Sequence, residues 1–257
     1  MRVVVVVAAM LFCTPVFAQG VKLKSFTNSI GMELIEIPSG KFTMGAGAVV
    51  AVTLTQGFSL GKTEVTCGEW QQVMGIQFKL KTYDVGKKDF PATEMEWEDA
   101  IEFCKKLTAT EHTNGRLPAG ESYRLPSEAE WECACRAGTE TAFSFGDDES
   151  KLGEYAWFDG NTGSEEYAHK VGMKKLNPWG LHDMHGNVFE WCSDWYGLVL
   201  SGGTDPVGPR RGSNRVYRGG SWGNDPGRCR SAYRFRNAPS LRGDDLGFRV
   251  ARSQSVQ

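Results

Sequence analysis

Gly180-Leu181-His182-Asp183-Met184-His185-Gly186-Asn187-Val188-Phe189-Glu190-Trp191 decides how this chain is read, together with Arg218-Gly219-Gly220-Ser221-Trp222 and Leu246-Gly247-Phe248-Arg249 downstream. In each block, glycines that permit tight turns stand beside aromatic residues that need packing. Everything beyond Arg136 shares this character. Gly, Asp, Ser and Asn punctuate short aromatic runs such as Tyr155-Ala156-Trp157-Phe158, and Ser201 to Ser213 reads as a Gly/Pro-rich surface loop. With 8 Trp and 31 Gly in 257 residues, the composition suits a loop-rich fold better than a helical bundle. The 40% hydrophobic content supports a buried core, and no repeat, low-complexity tract or linker divides the chain. A formal net charge of -2 argues against a general affinity for polyanions, so nucleic acid is not an expected partner.

Upstream of Arg136 the periodicities are regular. Glu33 to Ile37 and Lys41 to Met44 alternate apolar and polar residues on either side of Pro38-Ser39-Gly40 and read as a hairpin. Val52-Thr53-Leu54 and Phe58-Ser59-Leu60 read as a second strand pair, turning at Gly57. Thr66 and Glu69 form a capping box that starts a short helix ending at Gly75. Trp97, Ala100, Ile101, Cys104 and Leu107 recur at helical spacing after Glu96, and Ser127-Glu128-Ala129-Glu130 opens a third helix with another capping box. The expected class is α+β, with helices packed on a sheet.

Arg2, the apolar run Val3 to Phe12 and the small residues of Val16-Phe17-Ala18 read as an export signal over residues 1–18. Residues 19–30 then read as a linker, residues 31–253 as the domain and residues 254–257 as a tail. The apolar run is shorter than the roughly 20 residues that span a bilayer. An exported protein, periplasmic or secreted, with no membrane anchor after signal cleavage is the expectation. Removal of the signal leaves Cys67, Cys104, Cys133, Cys135, Cys192 and Cys229 in a compartment that permits disulfides, with a pairing that spacing does not reveal. Cys133 and Cys135 stand two apart on a predicted helix and so face different ways, which marks them as structural rather than metal-binding.

Gly40-Lys41-Phe42-Thr43-Met44-Gly45, Lys62-Thr63-Glu64-Val65-Thr66, Trp97-Glu98-Asp99-Ala100 and Arg124-Leu125-Pro126-Ser127-Glu128-Ala129-Glu130-Trp131-Glu132 precede the three C-terminal blocks in order. Together they resemble the sulfatase-modifying-factor family, whose founding members oxidise a sulfatase cysteine to formylglycine. The resemblance implies one C-type-lectin-like domain with modest regular secondary structure and long ordered loops. In active members it also implies two cysteines after the Gly-Gly-Ser turn, which bind a copper ion that activates dioxygen. Two thiolates suit Cu(I), and one of them exchanges with the substrate cysteine. Here Asn224 stands at the first cysteine position and Cys229 is the residual catalytic candidate. Copper is therefore not expected. The expectation is a binding or accessory domain for a peptide, glycan or protein partner, and the alternative is an active oxidoreductase modifying a cysteine of a sulfatase-like substrate.

The same resemblance implies a calcium loop, with Asp183 and Glu190 contributing carboxylates and Gly186 and Val188 contributing backbone oxygens to a hard, oxygen-seeking ion. A second family calcium site is not matched, because Trp157 stands where an oxygen-donating side chain is needed. His182 and His185 read as surface or supporting residues. The family pairs cysteines at the positions of Cys104 and Cys135 with C-terminal partners. Those partner positions are Val250 and a residue near Ser231 here, so Cys135 to Cys229 is the expected bond. Of the many C-terminal arginines, most are expected to pair with acids and fix loops. Arg228, Arg230 and Arg234, with Trp222, are expected to line the cleft that receives a peptide in active relatives.

Overall fold

Capping, alternation and turn chemistry place the elements of the first half. The computed structural model describes residues 23–75 and 88–254, so the signal reading over residues 1–18 lies outside it. Strands β1 (Ser25–Thr27), β2 (Glu33–Ile37), β3 (Gly40–Ala46), β4 (Ala48–Leu54) and β5 (Phe58–Gly61) lead into helices α1 (Cys67–Met74) and α2 (Trp97–Thr113). Strand β6 (Glu121–Arg124) and helix α3 (Glu128–Arg136) follow. Beyond them come two single-turn helices, α4 (Leu152–Tyr155) and α5 (Asp159–Thr162), and six strands. These are β7 (Phe189–Trp195), β8 (Gly203–Thr204), β9 (Arg215–Arg218), β10 (Phe235–Asn237), β11 (Leu246–Gly247) and β12 (Ala251–Gln254).

Both predicted capping boxes form. Thr66 Oγ1 accepts from the Glu69 N–H while Glu69 Oε2 accepts from the Thr66 N–H, and Gly75 ends α1 at φ +68°. Ser127 and Glu130 do the same for α3. On α2 the buried face is Ala100, Phe103, Cys104 and Leu107, close to the predicted stripe. Phe103 stacks on Trp70 at 5.6 Å and meets Phe248 edge-on at 5.3 Å, which ties both helices to the C-terminal strands.

Neither predicted strand pair forms. β2 pairs with β1 and β5, β3 pairs with β4 through a turn at Gly47, and β4 and β5 lie in different sheets. Alternation fixes which face of a strand is buried but not which strand lies beside it. Pro38, with no N–H to give a ladder, carries the chain from one sheet to the next. Gly57 passes so close to β2 that a Cβ there would lie 2.9 Å from the Ile37 carbonyl, bringing β5 alongside β2 instead of β4. The linker reading is also corrected, since Ser25–Thr27 is an edge strand of the five-stranded sheet β1-β2-β5-β12-β6.

A four-stranded sheet, β10-β9-β7-β11, holds the three sequence blocks side by side. β7 continues the first block, β9 leads into the second and β11 opens the third. Glu190 is opposite Arg218 on one side and Gly247 on the other. Helix α3 packs against β7 and β9 with almost every residue buried, including Cys133 and Cys135, which lie on the helix as expected.

Candidate functional site

Two buried arginine–carboxylate knots organise this sheet. Glu190 Oε2 accepts from Trp131 Nε1 at 2.7 Å and Arg249 Nε at 2.6 Å, and its Oε1 accepts from Arg249 Nη2 at 2.6 Å. Arg249 spends its remaining donors on the carbonyls of Gly61 and His182, pinning β5 to the 183–190 loop. In the second knot, Glu132 bonds Arg218 and Arg136, and its Oε1 also accepts from the Gly45 N–H at 2.7 Å. Neither Glu190 nor Arg249 is exposed at all.

The loop that was expected to hold calcium is tightly wound. Asp183 and Asn187 adopt φ of +59° and +64°, and a Cβ on Gly186 would lie 2.3 Å from the Trp157 carbonyl oxygen, so only glycine fits there. Asp183 Oδ2 accepts from the Gly172 N–H at 2.7 Å. Its Oδ1 is buried without a donor, beside Glu64, whose Oε1 accepts from Asn187 Nδ2 at 3.0 Å and whose Oε2 also lacks one. Burial, followed by the charge of Asp183, holds the Glu64 carboxyl well above the usual carboxylate range, and burial raises Asp183 as well. The expected ligand set of Asp183, Gly186, Val188 and Glu190 does not fit a calcium shell as it stands, because Arg249 and Trp131 already occupy both Glu190 oxygens. Glu64 escaped the sequence reading as a site residue. Its one signal was a carboxylate inside the block Lys62 to Thr66.

In the run where the resemblance implies the copper cysteines, Asn224 and Cys229 are both buried. Asn224 Oδ1 accepts from the Ser221 N–H at 3.1 Å and lies 3.1 Å from Ser221 Oγ, which is also 3.2 Å from Asp245 Oδ2. Cys229 is fully buried, and a Cβ on Gly220 would lie 2.7 Å from its Sγ. Burial pushes the Cys229 thiol far up, with Asp225 and Asp159 adding to the shift. The expected Cys135–Cys229 bond is absent, and all six described cysteines are free thiols. The two are neighbours across His185, whose Nδ1–H donates to the Cys229 carbonyl at 2.9 Å and lies 3.8 Å from Cys135 Sγ. Its Nε2 accepts from the Ser144 N–H at 3.1 Å. His185 is thus the supporting residue of the two expected alternatives, a buried neutral imidazole, and burial pulls it down to about 4. With both nitrogens bonded it offers neither a base nor a metal ligand. His182 is half-buried, with Nδ1 2.9 Å from the Lys174 carbonyl oxygen.

The expected cleft residues separate. Trp222 is half-buried with its indole N–H unpartnered, Arg228 is exposed and pairs with Asp225 at 3.2 Å, and Arg230 reaches Glu149 at 3.7 Å. Arg234 instead turns inward and forks onto both oxygens of Glu128 at 2.6 and 2.7 Å, so it lines no cleft. A cleft of about 490 Å³ opens elsewhere, between the β2 and β5 ends and α1, with Glu33, Lys62, Thr66, Gln72 and His182 among its walls.

Residues 22–254 match the Sulfatase-modifying factor enzyme 1-like domain. Serine/threonine-protein kinase pkn1 of Chlamydia caviae is 38% identical over 135 residues, which is 50% of this chain and 21% of that protein. This chain therefore spans about a fifth of the length of such relatives. The Formylglycine-generating enzyme of Streptomyces coelicolor is 33% identical over 202 residues, 71% of this chain and 60% of the enzyme. Chaperone protein LppX of Paenibacillus barcinonensis is 26% identical, with 90% of this chain and 92% of LppX matched. Among solved structures, Treponema denticola variable protein 1 superposes with a TM-score of 0.78 at 32% identity, over 89% of this chain and 98% of that one. PvdO from Pseudomonas aeruginosa gives 0.75 at 27% identity, over 92% and 99%. The loop-rich α+β, C-type-lectin-like architecture is shared with these structures. On the match over residues 22–254 and the shared fold, the chain belongs to the sulfatase-modifying-factor family.

Proposed function

We propose that this chain is an exported binding or accessory member of its family, which holds a peptide, glycan or protein partner and does not oxidise a cysteine. The observation that carries this reading is Asn224 at the first cysteine position, its amide oxygen turned onto Ser221 beside a buried, protonated Cys229. One thiol held neutral by burial is neither a two-sulfur Cu(I) site nor a nucleophile for exchange with a substrate thiol. The near full-length match to a protein named as a chaperone supports use of this scaffold without oxidase chemistry. Exposed Arg228 and Arg230, with half-buried Trp222, supply contact groups for the partner around that run.

The test incubates the chain from Gln19 onward with Cu(I), dioxygen and a Cys-x-Pro-x-Arg peptide, followed by mass spectrometry beside an active relative. The peptide is expected to stay unmodified. Conversion of its thiol to an aldehyde would establish the second reading, an active oxidoreductase, which rests on the 33% identity to a formylglycine-generating enzyme.

A further inference from the structure

From Phe42 to Gly61 the chain carries no charged residue, and that stretch contains the β3–β4 hairpin tip around Gly47. Ala46, Ala48, Val49 and Ala51 are exposed there, Val49 by 54%. A second uncharged tip, Leu198-Val199-Leu200, lies against it. Leu200 is the anchor, packed onto the core and so close to Gly45 that a Cβ there would lie 2.6 Å from Leu200 Cδ1 and 3.7 Å from Val49 Cα. Leu198 and Val199 are left 84% and 79% exposed, values that no internal packing explains. Gly197, at the base of this tip, packs on Pro209, which brings Arg210 and Arg211 alongside. Both arginines are exposed, and neither has an ion pair or hydrogen bond among the described residues. The nearest acid in sequence, Asp205, is bonded to the Thr55 N–H at 2.8 Å.

We infer that these paired tips dock on an anionic lipid surface, with Leu198, Val199 and Val49 entering the acyl boundary and Arg210 and Arg211 meeting headgroup phosphates. Two small apolar tips flanked by unpaired guanidinium groups match an interface that is apolar beneath and negative on top. A stable protein partner needs a contact of about 800 Å² per side, which two displayed side chains and an alanine-rich turn do not supply. The packing of Leu200 keeps the tip rigid, so insertion does not first have to order it.

The experiment is co-flotation of the chain from Gln19 onward with vesicles of phosphatidylcholine alone and of equal parts phosphatidylcholine and phosphatidylglycerol. Residues 1–18 are omitted because Val3 to Phe12 would partition by itself, and every element among the described residues lies from Ser25 onward. Binding is expected on the anionic vesicles and to weaken with salt. The double variant Leu198→Ser/Val199→Ser is expected to lower the partition coefficient by about tenfold or more, and Arg210→Gln/Arg211→Gln by about fivefold per arginine. All four positions are exposed, so unchanged melting curves will confirm that the variants fold. No binding, equal binding to both vesicles, or variants that bind like the parent would overturn the inference. So would concentration-dependent self-association that the Leu198→Ser/Val199→Ser variant abolishes, since the tips would then cover a second copy of the chain.

Discussion

The Arg249–Glu190–Trp131 knot, built around β7, and the Ser221–Cys229 run, which follows β9, lie beside the same four-stranded sheet, yet they retain different parts of the family pattern. In the knot every charged atom is buried and bonded, and its three members come from α3, β7 and the turn after β11. Changing either charged member strands the other's charge away from water, and changing Trp131 removes one of the donors to Glu190. In the run, the Asn224 side chain is bonded to its near neighbour Ser221, while its backbone carbonyl accepts from the Asp159 N–H whatever the side chain, so a substitution there disturbs one local turn. The contrast explains how a chain can remain recognisable while Asn224 stands at the position where the resemblance implies a cysteine. Recognition rests on residues that are costly to change, and chemistry on residues that are cheap to change.

The comparison breaks most directly at Arg249. Arg249→Met leaves Glu190 buried with only the Trp131 donor, and unfolding in urea should show a loss of about 3–5 kcal/mol. Arg249→Met combined with Glu190→Leu removes both charges and should recover much of that loss. If the single variant costs no more than a surface substitution, the knot is not what holds the blocks together.

His185 stands between the two regions and tests them through pH. Its folded value of about 4 lies below the ordinary 6.5, so the folded state refuses a proton that the unfolded chain accepts. The stability it contributes is therefore complete above 6.5 and is lost as pH falls towards 4. Over that window the loss approaches about 3 kcal/mol. Asp183, Asp194 and Asp245, all raised by burial, change in the opposite sense, so the readout is the difference between parent and His185→Gln. That difference should shrink steadily from pH 6.5 to 4, and a flat difference would mean that the imidazole is hydrated and the floor beneath Cys229 is open.

Much of the knot could be read from the sequence only as positions. Glu190, Arg218 and Arg249 stand inside the three blocks, but no periodicity says that a charged residue within a glycine-rich loop is buried. The resemblance implies Glu190 as a calcium ligand, whereas a partner 59 residues downstream bonds both of its oxygens. Helix starts were legible because a capping box is a local interaction written in four adjacent residues. Strand pairing was not. Pairing of β2 with β5, and of β12 with β5 and β6, depends on contacts across the chain that alternation does not encode. The full burial of His185 was not legible for the same reason, since Phe143 and Phe145, some 40 residues away, pack edge-on against its ring.

The smallest effect expected belongs to Asn224, and it is the most discriminating for function. Asn224→Cys removes the amide acceptor of the Ser221 N–H, while the Ser221 hydroxyl still reaches Asp245, so the expected loss is about 1 kcal/mol. The substitution also restores two cysteines with four residues between them, the spacing that the family uses for copper. Competition against a chromophoric Cu(I) chelator should show no uptake by the parent and one ion bound by Asn224→Cys, because two soft sulfurs are the minimum that holds Cu(I) against a competitor. Uptake by the parent would mean that Cys229 is less closed than its burial implies, and the contrast between the knot and the run would fail on the run's side. A stable variant that takes up no copper would instead show that the wall His185 and Gly220 build around Cys229 keeps the ion out, so that more than one residue departs from the copper-binding pattern.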